Sequence, residues 1–244
     1  MWEHCLRFQK SCQPAWGLGA FGWGCILSVL MHTGTQATDH PLRWRWSSPA
    51  PHGGNVFDMT YGLGLTVQVC ERGQIYTSED LQLWHPRSSG TTNALRATTF
   101  FGSRLLVTGE SGTVLWADSL EEFEVLNLGT QDWLEGAAAS ASLAVAVGDN
   151  GAAYTSTTGT NWARETTGFT NWLRGVASGN NLFVAVGEQG RIATRAANGN
   201  WNTETSGTAQ HLNRVAFIGN QFWAVGDAGT VLVGNSSGKN WAPV

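Results

Sequence analysis

The chain has 244 residues, enough for one substantial domain with a real core. Its 31 glycines, 13 tryptophans and only 13% charged residues point to many tight turns in a β-rich interior; long amphipathic helices would need more Glu, Lys, Leu and Ala. With a net charge of −4 and no lysines besides Lys10 and Lys239, the chain lacks the basic footprint that nucleic acid requires.

Residues 1–37 read as a secretion signal. Arg7 and Lys10 precede an uncharged run from Ala15 to Met31, and Thr35-Gln36-Ala37 offers small residues for cleavage. The run has 17 residues, four of them glycine, and is short for a membrane span of about 20. An uncleaved anchor or a misassigned start is the alternative. Gly22-Trp23-Gly24 argues against a lipoprotein signal at Cys25. This reading places the mature domain, residues 38–244, outside the cytoplasm (periplasm, cell surface or medium), with no membrane span of its own. Losing Glu3, Arg7 and Lys10 makes its net charge one unit more negative. Cys5, Cys12 and Cys25 lie in the leader, so Cys70 alone cannot form an internal disulfide.

A 39-residue period organises the rest. It links Gly73, Gly112, Gly151, Gly190 and Gly229, each two residues after an acid: Glu71, Glu110, Asp149, Glu188 and Asp227. Cys70, Gly109, Gly148, Gly187 and Gly226 come just before these acids. Trp84, Phe123, Trp162 and Trp201 follow the same step; Trp241 comes one insertion later, 195 residues after Trp46. Five units result, at about 46–84, 85–123, 124–162, 163–201 and 202–241.

Each unit predicts four strands. In the fourth these are Leu173–Ala177, then Leu182–Val186 after a Gly-Asn turn, then Arg191–Thr194 after Gly187-Glu188-Gln189-Gly190, and a polar strand after Trp201. Four short strands repeated five times predict an all-β fold, a β-propeller of five four-stranded blades. Closing the ring removes the exposed edges of an open array. Leu42–Ser48 is expected to supply the outer strand of the last blade and lock the ring, because Trp241–Val244 looks too short to do so. A fragment of a larger ring, or a ring that closes by oligomerising, is the competing reading.

Trp172-Leu173-Arg174-Gly175-Val176-Ala177, Phe183-Val184-Ala185-Val186-Gly187 and Ser156-Thr157-Thr158-Gly159-Thr160-Asn161-Trp162 resemble repeats of bacterial propellers related to the photosystem II assembly factor. The last of these is also similar to the Asp-box of sialidase-like (BNR) repeats, Ser-x-Asp-(x)-Gly-x-x-Trp. The resemblance covers about residues 42–244. It implies the architecture, and says little of function because such repeats occur in enzymes, lectins and scaffolds. The box aspartate survives only as Asp80; its counterparts are Thr158, Asn198 and Ser237, and the second unit has Ala117-Asp118-Ser119. The assembly-factor propeller has seven blades against five here, so a role in photosystem assembly does not carry over. The resemblance also implies that the box tryptophans Trp84, Trp162 and Trp201 pack between blades, away from any chemistry.

The opposite face collects two sets of residues. The first is the acidic set Glu71, Glu110, Asp149, Glu188 and Asp227, read either as local turn residues bonding nearby N–H groups or as a negative collar for cations and amines. The second opens each unit: Asn55, Ala94, Trp133, Trp172 and His211, then Phe57, Arg96, Glu135, Arg174 and Asn213, with Arg214 just beyond. It varies while the framework repeats. Either Arg96, Arg174 and Arg214 offset the acidic turns, or Trp133, Trp172, His211, Arg96, Glu135, Arg174 and Arg214 form a pocket mouth suited to a peptide or a sugar.

No HExxH, CxxC or GxSxG is present, and His52, His85 and His211 are scattered. Glycoside hydrolysis needs two carboxylates in unlike surroundings, and five near-identical turn acids single out no pair. Sialidase chemistry would also need an arginine triad and a Tyr–Glu pair, whereas Tyr61, Tyr76 and Tyr154 fall on strands. No cofactor, metal or catalytic residue is expected. The expectation is an exported, non-catalytic propeller that binds a protein or peptide or acts as an assembly scaffold. The alternatives are a lectin-like propeller binding glycans and, below it, a sialidase-like glycoside hydrolase.

Overall fold

A computed structural model describes residues 54–244. They form five antiparallel four-stranded sheets, each built from consecutive strands. The first blade is β1 (Val56–Gly62), β2 (Leu65–Cys70), β3 (Ile75–Ser78) and β4 (His85–Arg87). The second is β5 (Leu95–Phe101), β6 (Arg104–Gly109), β7 (Thr113–Ala117) and β8 (Glu124–Asn127). The third is β9 (Leu134–Ala139), β10 (Ala144–Gly148), β11 (Ala153–Ser156) and β12 (Ala163–Arg164). The fourth is β13 (Leu173–Gly179), β14 (Leu182–Gly187), β15 (Ile192–Ala196) and β16 (Asn202–Glu204). The fifth is β17 (Leu212–Ile218), β18 (Gln221–Gly226), β19 (Val231–Gly234) and β20 (Ala242–Pro243).

The five-bladed propeller read from the period is thus the fold, and Trp241–Val244 is not too short to reach its outer edge. The outer place in the last blade is held by β20, which pairs Pro243 with Leu232 and Ala242 with Val233. At two residues it matches β12, the outer strand of the third blade, in length. Leu42–Ser48, expected in that place, lies outside the described residues, as does the leader.

The core lies between blades. Val67, Val69 and Ile75 meet Leu95, Leu105 and Val107 across the first gap; Leu106, Val114 and Trp116 meet Leu134, Ala144 and Tyr154 across the second. Val145 and Val147 meet Phe183 and Ala185 across the third, and Val184, Val186 and Ile192 meet Phe222, Ala224 and Leu232 across the fourth. The middle strands of the second, third and fourth blades are buried on both faces, hence their continuous apolar runs.

The turns after β3, β7, β11, β15 and β19 carry the box-like segments. Asp80 Oδ1 accepts the amides of Gln82 and Leu83, both at 2.8 Å. Thr158 Oγ1 takes the same place for Thr160 and Asn161. In the fifth blade the acceptor is Asn235 Oδ1, bonded by Ser237 and Lys239 amides, not the expected Ser237. In the fourth, Arg195 donates to the carbonyls of Ala196 and Ala197 while pairing with Glu165, which also accepts Trp201 Nε1–H at 2.9 Å. Phe123, Trp162, Trp201 and Trp241 each pack into the gap between their own blade and the one before. Trp84 differs: it is half-buried and joins none of the four clusters.

Candidate functional site

The opposite end of the blades carries the turns after the second strands, where a single backbone irregularity repeated five times builds the site. In each blade the first strand skips one residue in its pairing with the second: Leu95 pairs with Gly109 but Ala97 with Thr108, which leaves Arg96 unpaired. Phe57, Glu135, Arg174 and Asn213 are skipped in the same way. Such a β-bulge turns its extra side chain out of the pleat. One of the two varied positions of the repeat is therefore the one that the backbone re-aims.

The turn acids answer to these bulges. Four of the five turns are single 3-10 turns, and the second blade makes the equivalent bond from Thr113 N–H to Glu110 O; in the third blade Ala152 N–H donates to Asp149 O at 2.8 Å, with Asn150 and Gly151 at φ 51° and 64°. A Cβ at Gly151 would lie 2.1 Å from Phe169 O, so only glycine fits the approach of the next connection. Where the bulge residue can donate, the acid 14 residues later accepts from it: Arg96 to Glu110 at 2.5 Å, Arg174 to Glu188 at 3.2 Å, Asn213 to Asp227 at 2.7 Å. Phe57 and Glu135 have no donor, so Glu71 takes the Asn55 side chain at 3.0 Å and Asp149 the Trp133 amide at 2.8 Å. The acids thus have local partners, as the turn reading expected.

Arg96, Glu135, Trp172, Arg174, Asn213 and Arg214 line one cavity of about 280 Å³. The Arg96 guanidinium lies over the rings of Phe57 and Trp133, 4.2 and 5.1 Å from their centroids, and its Nε is 3.6 Å from Glu135 Oε1. Trp133 and Trp172 meet edge to face at 6.2 Å. Burial raises the Glu135 carboxyl above its ordinary range, against the opposing pull of Arg96, Arg214 and Arg174. Trp172 Nε1–H, Arg96 Nε–H and Glu135 Oε1 have no hydrogen-bond partner among the described residues.

Of the residues named from sequence, Arg96, Glu135, Trp172, Arg174 and Arg214 converge on this cavity. Trp133 stands at its rim, 38% exposed. His211 Nδ1 accepts the Gln189 amide at 3.1 Å and so joins two blades. Glu71, Glu110, Asp149, Glu188 and Asp227 are absent from the lining. Arg214 departs from the expected acid pairing: it donates to the carbonyls of Arg174, Asn213 and Phe57, at 2.9, 3.2 and 3.3 Å.

Asn213, Phe57 and Asp58 were not singled out as site residues, although the first two hold the divergent repeat position. Asp58 Oδ2 accepts the Thr98 amide at 2.8 Å across the first gap, and burial raises its carboxyl. Two open polar grooves lie elsewhere at equivalent positions, about 620 Å³ at Gly73–Thr92 and 430 Å³ at Gln189–Ala209. Among the described residues no group of three or more His, Cys, Asp or Glu could hold a metal ion, and no helix is long and apolar enough to cross a membrane.

No protein-family model and no curated protein sequence matches the chain. Its fold is similar to solved structures. One is YCF48 bound to a D1 peptide, with a TM-score of 0.60 at 16% identity over 78% of this chain and 66% of that one. YCF48 from Cyanidioschyzon merolae gives 0.59 at 16% identity over 78% and 72%, and the computationally designed Ika8 protein 0.63 at 14% over 76% and 60%. The chain therefore spans about two thirds of the first YCF48 structure. At such identities the likeness concerns the fold, and with the five sheets above it makes this chain a five-bladed β-propeller.

Proposed function

We propose that this propeller is a non-catalytic module that binds a protein or peptide segment, or scaffolds an assembly, through the central mouth. The observation that carries this reading is the bulge set. A framework repeated every 39 residues holds four kinds of side chain at one position, and four of the five residues line a single cavity together with Trp172 and Arg214. Arginine and tryptophan are the residue types that dominate binding energy at protein interfaces, and Trp172 Nε1–H and Glu135 Oε1, which have no hydrogen-bond partner among the described residues, offer one donor and one acceptor to a main chain. The likeness to a propeller bound to a peptide supports the same class of partner. Residues 1–37, read as a leader, would place this activity outside the cytoplasm.

The test is capture of partners by the wild-type protein and by Trp172→Ala, Arg174→Ala and Glu135→Ala. Each variant is expected to lose partners that the wild type holds. Full retention of the partner profile by all three would remove the mouth as the binding site.

A further inference from the structure

The chain holds two Asn-Gly pairs, Asn150-Gly151 and Asn198-Gly199. In such a pair the glycine nitrogen can attack the asparagine side-chain amide, because no Cβ on the glycine obstructs the approach and its backbone turns freely. Both asparagines are exposed, so access of water does not separate them. Their backbones do. Closing a ring from the glycine nitrogen to the asparagine Cγ requires rotation about the asparagine Cα–C bond. Asn150 is held at φ 51° and ψ 29° in its 3-10 turn. Gly151 is buried and its N–H donates to Asn171 O at 2.9 Å. It also lies so close to the next connection that a Cβ would meet Phe169 O at 2.1 Å. Asn198 stands in the outer turn of the fourth blade, between β15 and β16. There Gly199 N–H donates to Ala196 O at 3.0 Å, within the turn itself. The three heavy atoms nearest a Gly199 Cβ all belong to Ala196, at 3.4, 3.6 and 3.7 Å. Arg195 grips the carbonyls of Ala196 and Ala197 on one side, and Trp201 is buried on the other, so Asn198 and Gly199 span two fixed ends.

We propose that Asn198 is a site of spontaneous deamidation in the folded protein, and that the third blade's turn protects Asn150 from the same reaction. Gly199 N forms a bond to Asn198 Cγ, the bond from Cγ to Nδ2 breaks, and ammonia leaves with the proton that Gly199 N–H gives up. Water then opens the cyclic imide at either carbonyl, leaving aspartate or isoaspartate. Water is consumed, ammonia is released, and nothing is oxidised or reduced. The reaction adds a negative charge to the outer turn of the fourth blade, at the counterpart of Asp80 in the first. In the isoaspartate product the main chain also runs through the former side chain and gains a carbon. The Arg195 guanidinium that grips this turn is already paired with Glu165, so the new carboxylate meets a cation whose charge is spoken for. At Asn150 the ring can close only after the Gly151 bond opens and the turn lifts from Phe169, a local unfolding that the isolated turn at Asn198 does not require.

Peptide mapping by mass spectrometry tests this, on the full chain incubated at mildly alkaline pH with and without denaturant. In the folded protein the Asn198 peptide should convert to the acid with isoaspartate among the products, and the Asn150 peptide should lag by roughly tenfold or more. In denaturant the two rates should converge, because the turn no longer holds Asn150. Gly199→Ala should slow conversion at Asn198 in both conditions, since its methyl group hinders the attacking nitrogen. The backbone at Gly199 lies outside the left-handed region and the added Cβ meets only ordinary contacts, so this variant should fold, as circular dichroism would verify. An Asn198 that keeps its amide in the folded chain while reacting in denaturant overturns the proposal. So does an Asn150 that keeps pace with it in the folded chain. Conversion at an unchanged rate in Gly199→Ala, yielding aspartate without isoaspartate, would overturn the route through the imide.

Discussion

Arg174 Nη1 donates to Asn213 Oδ1 at 2.8 Å, and the two residues are 39 apart, the same position in successive blades. Asn213 passes the contact on to Asp227, so a bulge of the fourth blade is tied to the acidic turn of the fifth. Arg174→Ala removes this link and leaves Glu188 without its cation. The Arg174 and Glu188 side chains are 31% and 30% exposed, and solvent screens part of the gain. The expected loss is about 1 kcal/mol, read as a lower urea midpoint at unchanged slope. Arg174→Lys should recover little, since an ammonium cannot span both acceptors.

Trp201 and Trp84 occupy the same repeat position in different surroundings. Trp201 is buried between the third and fourth blades and bonded to Glu165, so Trp201→Ala should destabilise by about 3–5 kcal/mol. Trp84 has no packed gap to fill, and Trp84→Ala should remove no more than about 1–2 kcal/mol, in keeping with its partial burial. Equal losses in chemical denaturation would contradict the assignment of the packed gaps.

Two glycines with similar backbones separate strain from collision. Gly151 and Gly168 have φ of 64° and 75°, but a Cβ meets Phe169 O at 2.1 Å in the first case and nothing within 4 Å in the second. Gly168→Ala should destabilise by about 1 kcal/mol through left-handed strain alone. Gly151→Ala must also displace the backbone of the next connection and should destabilise several-fold more, measurable by thermal unfolding.

Burial holds the Glu135 carboxyl above its ordinary value of 4.5. The folded chain keeps this proton at a pH where the unfolded chain has released it, so the Glu135 contribution to stability falls as pH rises from the unfolded value through the folded one. Glu135→Gln stays neutral and should flatten that part of the profile. Thermal unfolding of both proteins between about pH 4 and 7 checks this; parallel curves would show that Glu135 does not titrate in this window.

The Cys70 thiol is buried, and burial, assisted by Glu71, pushes it up to about 12. The thiolate is the reactive form, so Cys70 should resist alkylation in the native protein at pH 8 and react fully in denaturant. Peptide mapping after iodoacetamide treatment distinguishes it from Cys5, Cys12 and Cys25.

The blade count was legible because the acid and glycine of each turn recur at a fixed step, as Asp149 and Gly151 do, and turn chemistry is local. The bulges were not. A skipped residue shifts pairing with the neighbouring strand and leaves the local order of apolar and polar letters almost intact, so Arg96 and Glu135 showed divergence without showing direction. Nor could identical letters reveal that Trp162 is packed where Trp84 is not, since that depends on which blade stands alongside. The shortness of Trp241–Val244 misleads for a related reason: Ala242–Pro243 has no pattern of its own and is recruited by β19.

The turn that closes each outer hairpin asks for little more than an oxygen at the right reach. Asp80, Thr158 and Asn235 all supply it, the last from a displaced position, and in the fourth blade a guanidinium grips the carbonyls instead. Selection on such a corner acts on its shape, and the consensus aspartate can drift away without disturbing the wheel. The motif named for that aspartate is therefore a poor census of spokes: counted by its letter this propeller has one, and counted by an oxygen that accepts those amides it has three among five blades.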